Sequence, residues 1–386
     1  MDTLDTADAA RGDDDLAAWL RLAHTPGVGS VAARTLLTAF GLPESVFCAG
    51  FDAWRDVVKA PVALALGGPV PASTAALIDA TLAWLQTPGN HVLTLADAAY
   101  PAALLDIPDP PLVLYLKGRL DLLTRPALAV VGSRNASLQG VANAEHFSHA
   151  LSSAGLTIVS GLALGIDAAA HRGALRGAGS TIAVIGTGAD IVYPYSNRLL
   201  TGLIAAQGCI VSEYALGIPA LPANFPRRNR LISGLARAVL VIEAAARSGS
   251  LITARMAGEQ GRDVFAIPGS IHSALAKGCH ALIKQGAKLV ESSDDVLVEL
   301  QLPPSALLAS GAASGEPVLQ PKSASALEQQ ALLSALGHDP VDLDSLAQRA
   351  GLDAAGVIAE LLTLELAGLV ERLPGGLFQR NHQGDH

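Results

Sequence analysis

From residue 127 to about 300, short apolar runs rich in valine and isoleucine alternate with helical stretches. This predicts an α/β protein built on a mostly parallel sheet. The runs are apolar throughout rather than alternating, as in strands covered on both faces. Gly155, Gly179, Gly208 and Gly261 each close a helical stretch just before the next strand, a common place for a helix to stop. A small all-α domain is predicted before this region and a winged helix after it.

In chain order, residues 1–15 are acidic and polar and read as a disordered tail, without the basic start and apolar stretch of a signal peptide. Residues 16–87 read as a helical domain. Its turn Thr25-Pro26-Gly27-Val28-Gly29-Ser30 resembles a helix-hairpin-helix, whose glycines let main-chain N–H groups approach a DNA phosphate. No lysine or arginine adjoins that turn before Arg34, so its expected role is structural. Residues 88–126, extended and rich in proline, read as a strap onto the next domain, with an edge strand at Leu112 to Tyr115.

The strap and the sheet form one domain, 88–300. Its strands are expected at 128–131, 157–159, 181–185, 210–211, 238–242, 264–267 and 288–290, with helices near 138–154, 165–178, 196–207, 228–236, 250–260 and 278–286. Residues 301–325 carry Pro303-Pro304, Pro317 and Pro321 among small residues and read as a linker. Three helices, at 326–336, 343–350 and 354–367, and a hairpin then make a winged helix over 326–381. Its third helix carries Glu360 and Glu365 and no lysine or arginine, so protein contact is expected of it rather than groove reading.

Half of the 386 residues are hydrophobic, which marks a globular chain. No apolar run spans a bilayer, and Cys48, Cys209 and Cys279 form no Cys-x-x-Cys pair, so a cytoplasmic, non-membrane protein is expected. The net charge is −9, yet Arg125 to Val290 holds 15 of the 26 basic residues and 7 of the 35 acidic ones. A basic middle between acidic ends suits a polyanion, because local potential governs such binding.

The strand ends carry special turns: Gly132-Ser133-Arg134, Ser160-Gly161, Gly186-Thr187-Gly188, Ser248-Gly249-Ser250 and Pro268-Gly269. Their glycines are expected to let a ligand come close, and the helix N-termini that follow favour anions. Gly186-Thr187-Gly188 lacks the third glycine of a dinucleotide fingerprint, and no nucleotide-hydrolysing P-loop is present. Asp167 and His171, one helical turn apart, read as a catalytic pair or as a cap with a packed histidine, the latter favoured. Glu243 reads as a base, as a support for Ser248 and Ser250, or as a partner of Arg230. The ten histidines show no metal-ligand spacing. Arg134, Arg227, Arg228 and Arg230 have few acids nearby in sequence, and phosphate contact is expected of them. Phe225, in an aromatic-poor chain, reads equally as a base-stacking ring or a helix staple.

These turns, with Phe225-Pro226-x2-Asn229-Arg230-x-Ile232-Ser233-Gly234-Leu235, Thr253-Ala254 and Gly278-Cys279-x2-Leu282-Ile283-x2-Gly286-Ala287, resemble the DNA-processing protein A (DprA/Smf) family from about Tyr100 to Leu297. The resemblance implies an extended Rossmann-like fold that binds single-stranded DNA, catalyses no reaction and needs no cofactor or metal. It implies protection of incoming DNA during natural transformation and loading of RecA recombinase. By motif, Arg134, Ser160, Gly161, Arg230, Ser250 and Thr253 line the DNA pocket; Gly132, Ser133, Gly165, Phe225, Arg227, Asn229, Gly249 and Lys277 complete the expected set. It also implies a homodimer through Cys279 to Leu289, with His280, Ile283 and Leu289 at the interface. The loop His272 to Lys277 departs from the asparagine-proline and serine of many members. The rival reading is a nucleotide hydrolase on a related scaffold, whose Pro-Gly-Gly-x-Gly-Thr turn is absent at Pro268-Gly269-Ser270.

Overall fold

The computed structural model describes residues 12–302, 332–333, 335–336, 341–350, 354–366, 368–374 and 376–380. The expected tail up to residue 11 and linker from residue 303, with most of the helix expected at 326–336, lie outside the described residues.

Six helices come first: α1 (Asp13–His24), α2 (Ser30–Phe40), α3 (Pro43–Cys48), α4 (Phe51–Val57), α5 (Ala60–Gly67) and α6 (Ala72–Leu85). The tail expectation is corrected at its end, because Asp13, Asp14 and Asp15 form the first turn of α1. Carboxylates there meet the positive end of the helix dipole. Trp19, Leu20, Leu36 and Trp54 build the core of this unit, but Val92, Val113 and Tyr115 of the sheet belong to the same cluster.

The middle of the chain runs β1 (Asn90–Thr94), α7 (Ala102–Leu105), β2 (Val113–Gly118), β3 (Ala127–Val131), α8 (Leu138–Ser153), β4 (Thr157–Ser160), α9 (Ile166–Ala174), β5 (Thr181–Val184), α10 (Arg198–Gln207), β6 (Cys209–Ser212), α11 (Asn224–Leu235), β7 (Ala238–Val241), α12 (Ser250–Glu259), β8 (Asp263–Ala266), α13 (Lys277–Lys284), β9 (Lys288–Leu289) and α14 (Ser293–Glu299). One nine-stranded sheet results, in the order β1-β2-β6-β5-β4-β3-β7-β8-β9. From β6 to β9 every pairing is parallel; β1 and β2 extend the sheet antiparallel. The strap with an edge strand is therefore corrected. β2 is internal, with Tyr115 paired to Val92 on one side and Ser212 on the other. Pro108, Pro110 and Pro111 all precede it, so the strand keeps its N–H donors.

Helices α8, α9 and α14 pack on one face through Phe147, Leu151, Ala169 and Val296. Helices α11, α12 and α13 pack on the other through Leu231, Leu235, Ala254 and Cys279. The chain winds from β3 out to β6, then crosses back to β7 on the other side of β3. This reversal opens a crevice at the carboxyl ends of β3 and β7, the usual ligand position in such sheets. Of the four helix-closing glycines, Gly155 and Gly261 take positive φ and Gly179 and Gly208 do not. Gly179 answers a close approach instead: a Cβ there would lie 2.1 Å from the Leu156 carbonyl oxygen.

The C-terminal winged helix contains β10 (Val341–Asp342), α15 (Leu343–Ala350), α16 (Ala354–Leu366), β11 (Val370–Leu373) and β12 (Leu377–Arg380). Its antiparallel sheet has the order β10-β12-β11, and Leu346, Val357, Leu361 and Val370 fill its core.

Candidate nucleic-acid interface

Two arms of the crevice come from neighbouring strands. β3 leads into Gly132-Ser133-Arg134, and β7 leads through Glu243 to Arg247-Ser248-Gly249-Ser250. Arg134 is exposed and has no carboxylate partner among the described residues. Its guanidinium carbon lies 5.8 Å from the centre of the Phe225 ring, within cation–π range. Phe225 rests on Gly186 beyond the end of β5, where a Cβ would stand 3.1 Å from the ring. Its other neighbour is Tyr193, at 5.5 Å between ring centres. Phe225 thus packs across strand ends, and half-exposed Tyr193 widens the aromatic surface. Sequence reasoning missed Tyr193; Tyr193-Pro194-Tyr195 in a chain only 4% aromatic was the available signal.

The glycine turns serve the protein more than a ligand. Gly165 has φ +73°, and a Cβ on it would come within 2.3 Å of the Ser133 carbonyl oxygen. A Cβ on Gly161 would come within 2.7 Å of the Arg228 guanidinium, and one on Gly132 within 2.6 Å of Ile166. The turn N–H groups are also largely spent. Ser133 N–H donates to the Glu243 carbonyl at 2.8 Å, Ile166 N–H to the Ser133 carbonyl at 3.1 Å, and Ala163 N–H to the Asp167 carboxylate at 3.4 Å. Gly249 differs: nothing lies within 4 Å of the position a Cβ would take.

The helix N-termini divide the same way. At α8, Glu243 accepts from Ser137 N–H at 2.9 Å and from Ser137 Oγ–H at 2.5 Å, and Ser137 Oγ accepts from Gly140 N–H. Glu243 is therefore committed to a helix cap rather than to a base's work or to Arg230. At α12 the cap position is Gly249, with Arg247 exposed beside it and Ser248 and Ser250 hydroxyls 2.7 Å apart. Its first N–H groups are engaged within the turn, Ser250 by Ser248 Oγ at 3.4 Å, Leu251 by the Ser248 carbonyl at 3.2 Å and Ile252 by the Gly249 carbonyl at 3.1 Å, so what this start offers an anion is the positive end of the helix dipole beside an uncrowded glycine.

Beneath the rim the remaining charges are enclosed. Arg228 is buried and donates to the carbonyls of Gly161, at 2.8 Å, and Val184. Burial pushes its pKa down to about 10, against the pull of Asp167. Burial also raises Asp167, opposed by Arg228. His171 is fully buried; its Nε2 accepts from Leu162 N–H at 3.3 Å. Thr181 spends its hydroxyl proton on the Ile158 carbonyl, so His171 Nδ1–H donates to Thr181 Oγ1 at 2.7 Å. Burial pushes His171 down to about 3, and it stands neutral as a packed residue.

Arg230 is the largest departure from expectation. It is buried, with Nε 2.8 Å from Asp109 and Nη2 2.7 Å from Glu213. Those acids lie 121 and 17 residues away in sequence, which is why sequence neighbourhood hid them. Burial raises Glu213, and Arg230 and then Arg227 oppose that rise. Arg227 is exposed and 3.7 Å from the same carboxylate. Two more expected contacts are displaced. Ser160 is fully buried and donates to the Val130 carbonyl at 2.7 Å; Thr253 is buried inside α12. Asn229 is half-buried on α11, and exposed Lys277 donates to the Ile271 carbonyl. At the expected dimer segment, His280 Nε2 lies 3.0 Å from the Gly269 carbonyl, Ile283 packs against the core and Leu289 is exposed on edge strand β9.

A doubly wound sheet with an exposed arginine, an aromatic pair and a helix start gathered at its crevice is the arrangement in which α/β proteins receive ligands. Residues 91–301 match the family described as DNA recombination-mediator protein A, and residues 316–376 match the DprA winged helix domain. The chain belongs to the DNA recombination-mediator protein A family. Protein Smf of Escherichia coli is 43% identical over 305 residues, covering 78% of this chain and 80% of that one. The structure of DNA processing protein A from Streptococcus pneumoniae is 41% identical with a TM-score of 0.60, covering 75% of this chain and 98% of that one. The DNA processing protein A of Helicobacter pylori, whose structure concerns its single-stranded DNA binding mode, is 30% identical with a TM-score of 0.50, covering 55% of this chain and 96% of that one.

Proposed function

We propose that this chain binds single-stranded DNA at the crevice between β3 and β7 and hands it to RecA recombinase, protecting incoming DNA during natural transformation. The observation that carries the reading is exposed Arg134, without a carboxylate partner among the described residues and 5.8 Å from the Phe225 ring, which itself packs against Tyr193. Arginine holds phosphates, while stacked rings accept bases without regard to sequence. The binding reading is also supported by the Helicobacter pylori relative, and the recombination role by the description of the matched family. DNA contacts are assigned to Arg134, Phe225, Tyr193, Arg247 and Gly249, with Arg227 and Lys277 on the flanks, while Ser250, buried and bonded to Ser248, supports the turn. At this crevice Arg230 acts as a support of the surface, its Nε and Nη2 held by Asp109 and Glu213, and makes no phosphate contact there.

The protein works as a homodimer in this proposal, with Leu289 supplying apolar contact from the open edge of the sheet. Among the described residues no single helix is long and apolar enough to cross a membrane. The hydrolase alternative loses its strongest base, since both Glu243 oxygens are engaged by Ser137.

Fluorescence anisotropy with a labelled oligothymidylate tests the binding. Three or four phosphate contacts give a slope of log affinity against log salt of about −2 to −3. An affinity indifferent to salt would end the proposal.

A further inference from the structure

The helix-hairpin-helix turn is left unused by the function above, and the sequence offered it no neighbouring cation. The fold supplies two. A cavity of about 120 Å³ lies between this turn and the sheet, with His24, Gly29 and Ser30 on one wall and Glu213, Arg227 and Arg230 on the other. We propose that this cavity is a second phosphodiester subsite for single-stranded DNA, formed jointly by the start of α2, Arg227 and Arg230. The inference rests on the reading of the β3–β7 crevice as a DNA site and extends the strand's path beyond it.

Four observations carry it. Helix α2 has 11 residues, and no side chain caps its start at Gly29. Its first-turn N–H groups and dipole therefore face the cavity ready for an anion. Arg230, with a side chain 8% exposed, lines the opposite wall, and its Nη1 has no hydrogen-bond partner. Asp109 and Glu213 engage its Nε and Nη2, so this third nitrogen is what remains for a ligand. Arg227 is held loosely, 3.7 Å from Glu213, with a side chain 59% exposed. It can turn to a phosphate at small cost, because half-exposed ion pairs contribute little.

Glu213 is the one acid in the lining; its Oε2 faces both arginines, while its buried Oε1 makes no hydrogen bond. His24, whose pKa burial lowers, is a neutral wall at pH 7. The space is roomy enough for several waters, and so for a phosphate group. Phe225 and Arg227 share the first turn of α11, so a strand stacked on Phe225 has its following phosphates beside this cavity. The hairpin glycines thus approach the strand from one side and the sheet's arginine from the other.

The test uses the full chain and its Gly29→Asp and Gly29→Ala variants. A Cβ at Gly29 meets nothing within 4 Å, and an aspartate at this position caps α2, so both variants keep the fold. Binding of oligothymidylates from about 4 to about 16 nucleotides, the span of single-stranded sites, is measured across a salt series, with melting temperatures alongside. For the longest oligonucleotide, Gly29→Asp is expected to bind about tenfold more weakly with a salt slope shallower by about 0.7. The shortest should bind all three chains alike, Gly29→Ala should match the parent, and Gly29→Asp should melt no lower than it. Unchanged affinity and slope in Gly29→Asp, while the parent binds normally, would overturn the subsite alone. So would an equal loss in Gly29→Ala, which adds no charge. No binding of any length by the parent would overturn the crevice reading and the subsite together.

Discussion

Arg134 and Arg230 stand at the same edge of one sheet and have opposite fates. Arg134 projects from an exposed turn after β3, with its guanidinium near an aromatic ring and no ion pair among the described residues. Arg230 projects from α11 into the gap beyond β6, where Glu213 and Asp109 enclose it. The glycines divide along the same line: Gly161 and Gly165 are small because protein packs against them, and Gly249 faces open space. What separates a binding residue from a supporting one here is how much of its charge and hydrogen-bonding capacity the fold has already consumed. One half of the rim is a built interior; the other half is a surface.

The comparison breaks most readily at Arg230. Arg230→Ala leaves Glu213 buried without its partner, and such losses cost about 3–5 kcal/mol. Urea denaturation checks this, and a cost under about 1 kcal/mol would contradict an enclosed pair. Replacing both partners, Arg230→Met with Glu213→Leu, should restore most of the lost stability, since apolar pairs of similar volume often substitute for buried ions.

Next in size is the effect of acid on the enclosed half. His171 binds its proton near 6.5 when unfolded and, because burial opposes the charge, only at about 3 when folded. The unfolded chain therefore takes up protons first. Stability should be full above about 6.5 and fall as pH drops toward 3, by up to about 1.4 kcal/mol per pH unit for this one proton. His171→Gln, which keeps an acceptor and a donor, should show a shallower slope by one proton in that window. Equal slopes would mean that His171 is protonated in the fold.

The open half should respond in binding rather than in stability. Phe225→Ala should weaken oligothymidylate binding by about 1–3 kcal/mol, as lost stacking does. Arg134→Ala should flatten the salt slope by about 0.7. Its unfolding free energy should move by less than about 0.5 kcal/mol, and a larger drop would place Arg134 with the enclosed residues. The smallest stability effect belongs to Gly249→Ala, within about 0.5 kcal/mol by denaturation, with weaker DNA binding if the strand approaches this open face. Gly165→Ala sharpens the contrast, since its positive φ and the Ser133 carbonyl both oppose a side chain.

Much of this was legible in the residues. Apolar runs between 128 and 290 are long enough to identify strands whatever they pack against, and seven of the nine strands of the large sheet sit where those runs predict them. The resemblance named the family, and the turn motifs picked out both arms of the crevice. β1 went unread because Asn90–Thr94 is short and gains its place by pairing with β2. Motif spacing groups the four arginines and the glycine turns into one expected site, and the structure divides it. Proximity along the chain reported Arg227, Arg228 and Arg230 as a cluster without acids.

The sequence by itself determined the α/β architecture, the flanking helical and winged-helix units and the family, because each rests on local periodicity and motif spacing. Only the tertiary structure decided which charges remain available. Asp109, Glu213 and Arg230 meet across the sheet end, and Glu243 crosses from β7 to cap α8. An ion pair or a cap depends on distance in space, and residues more than a hundred positions apart have no separation until the chain has folded.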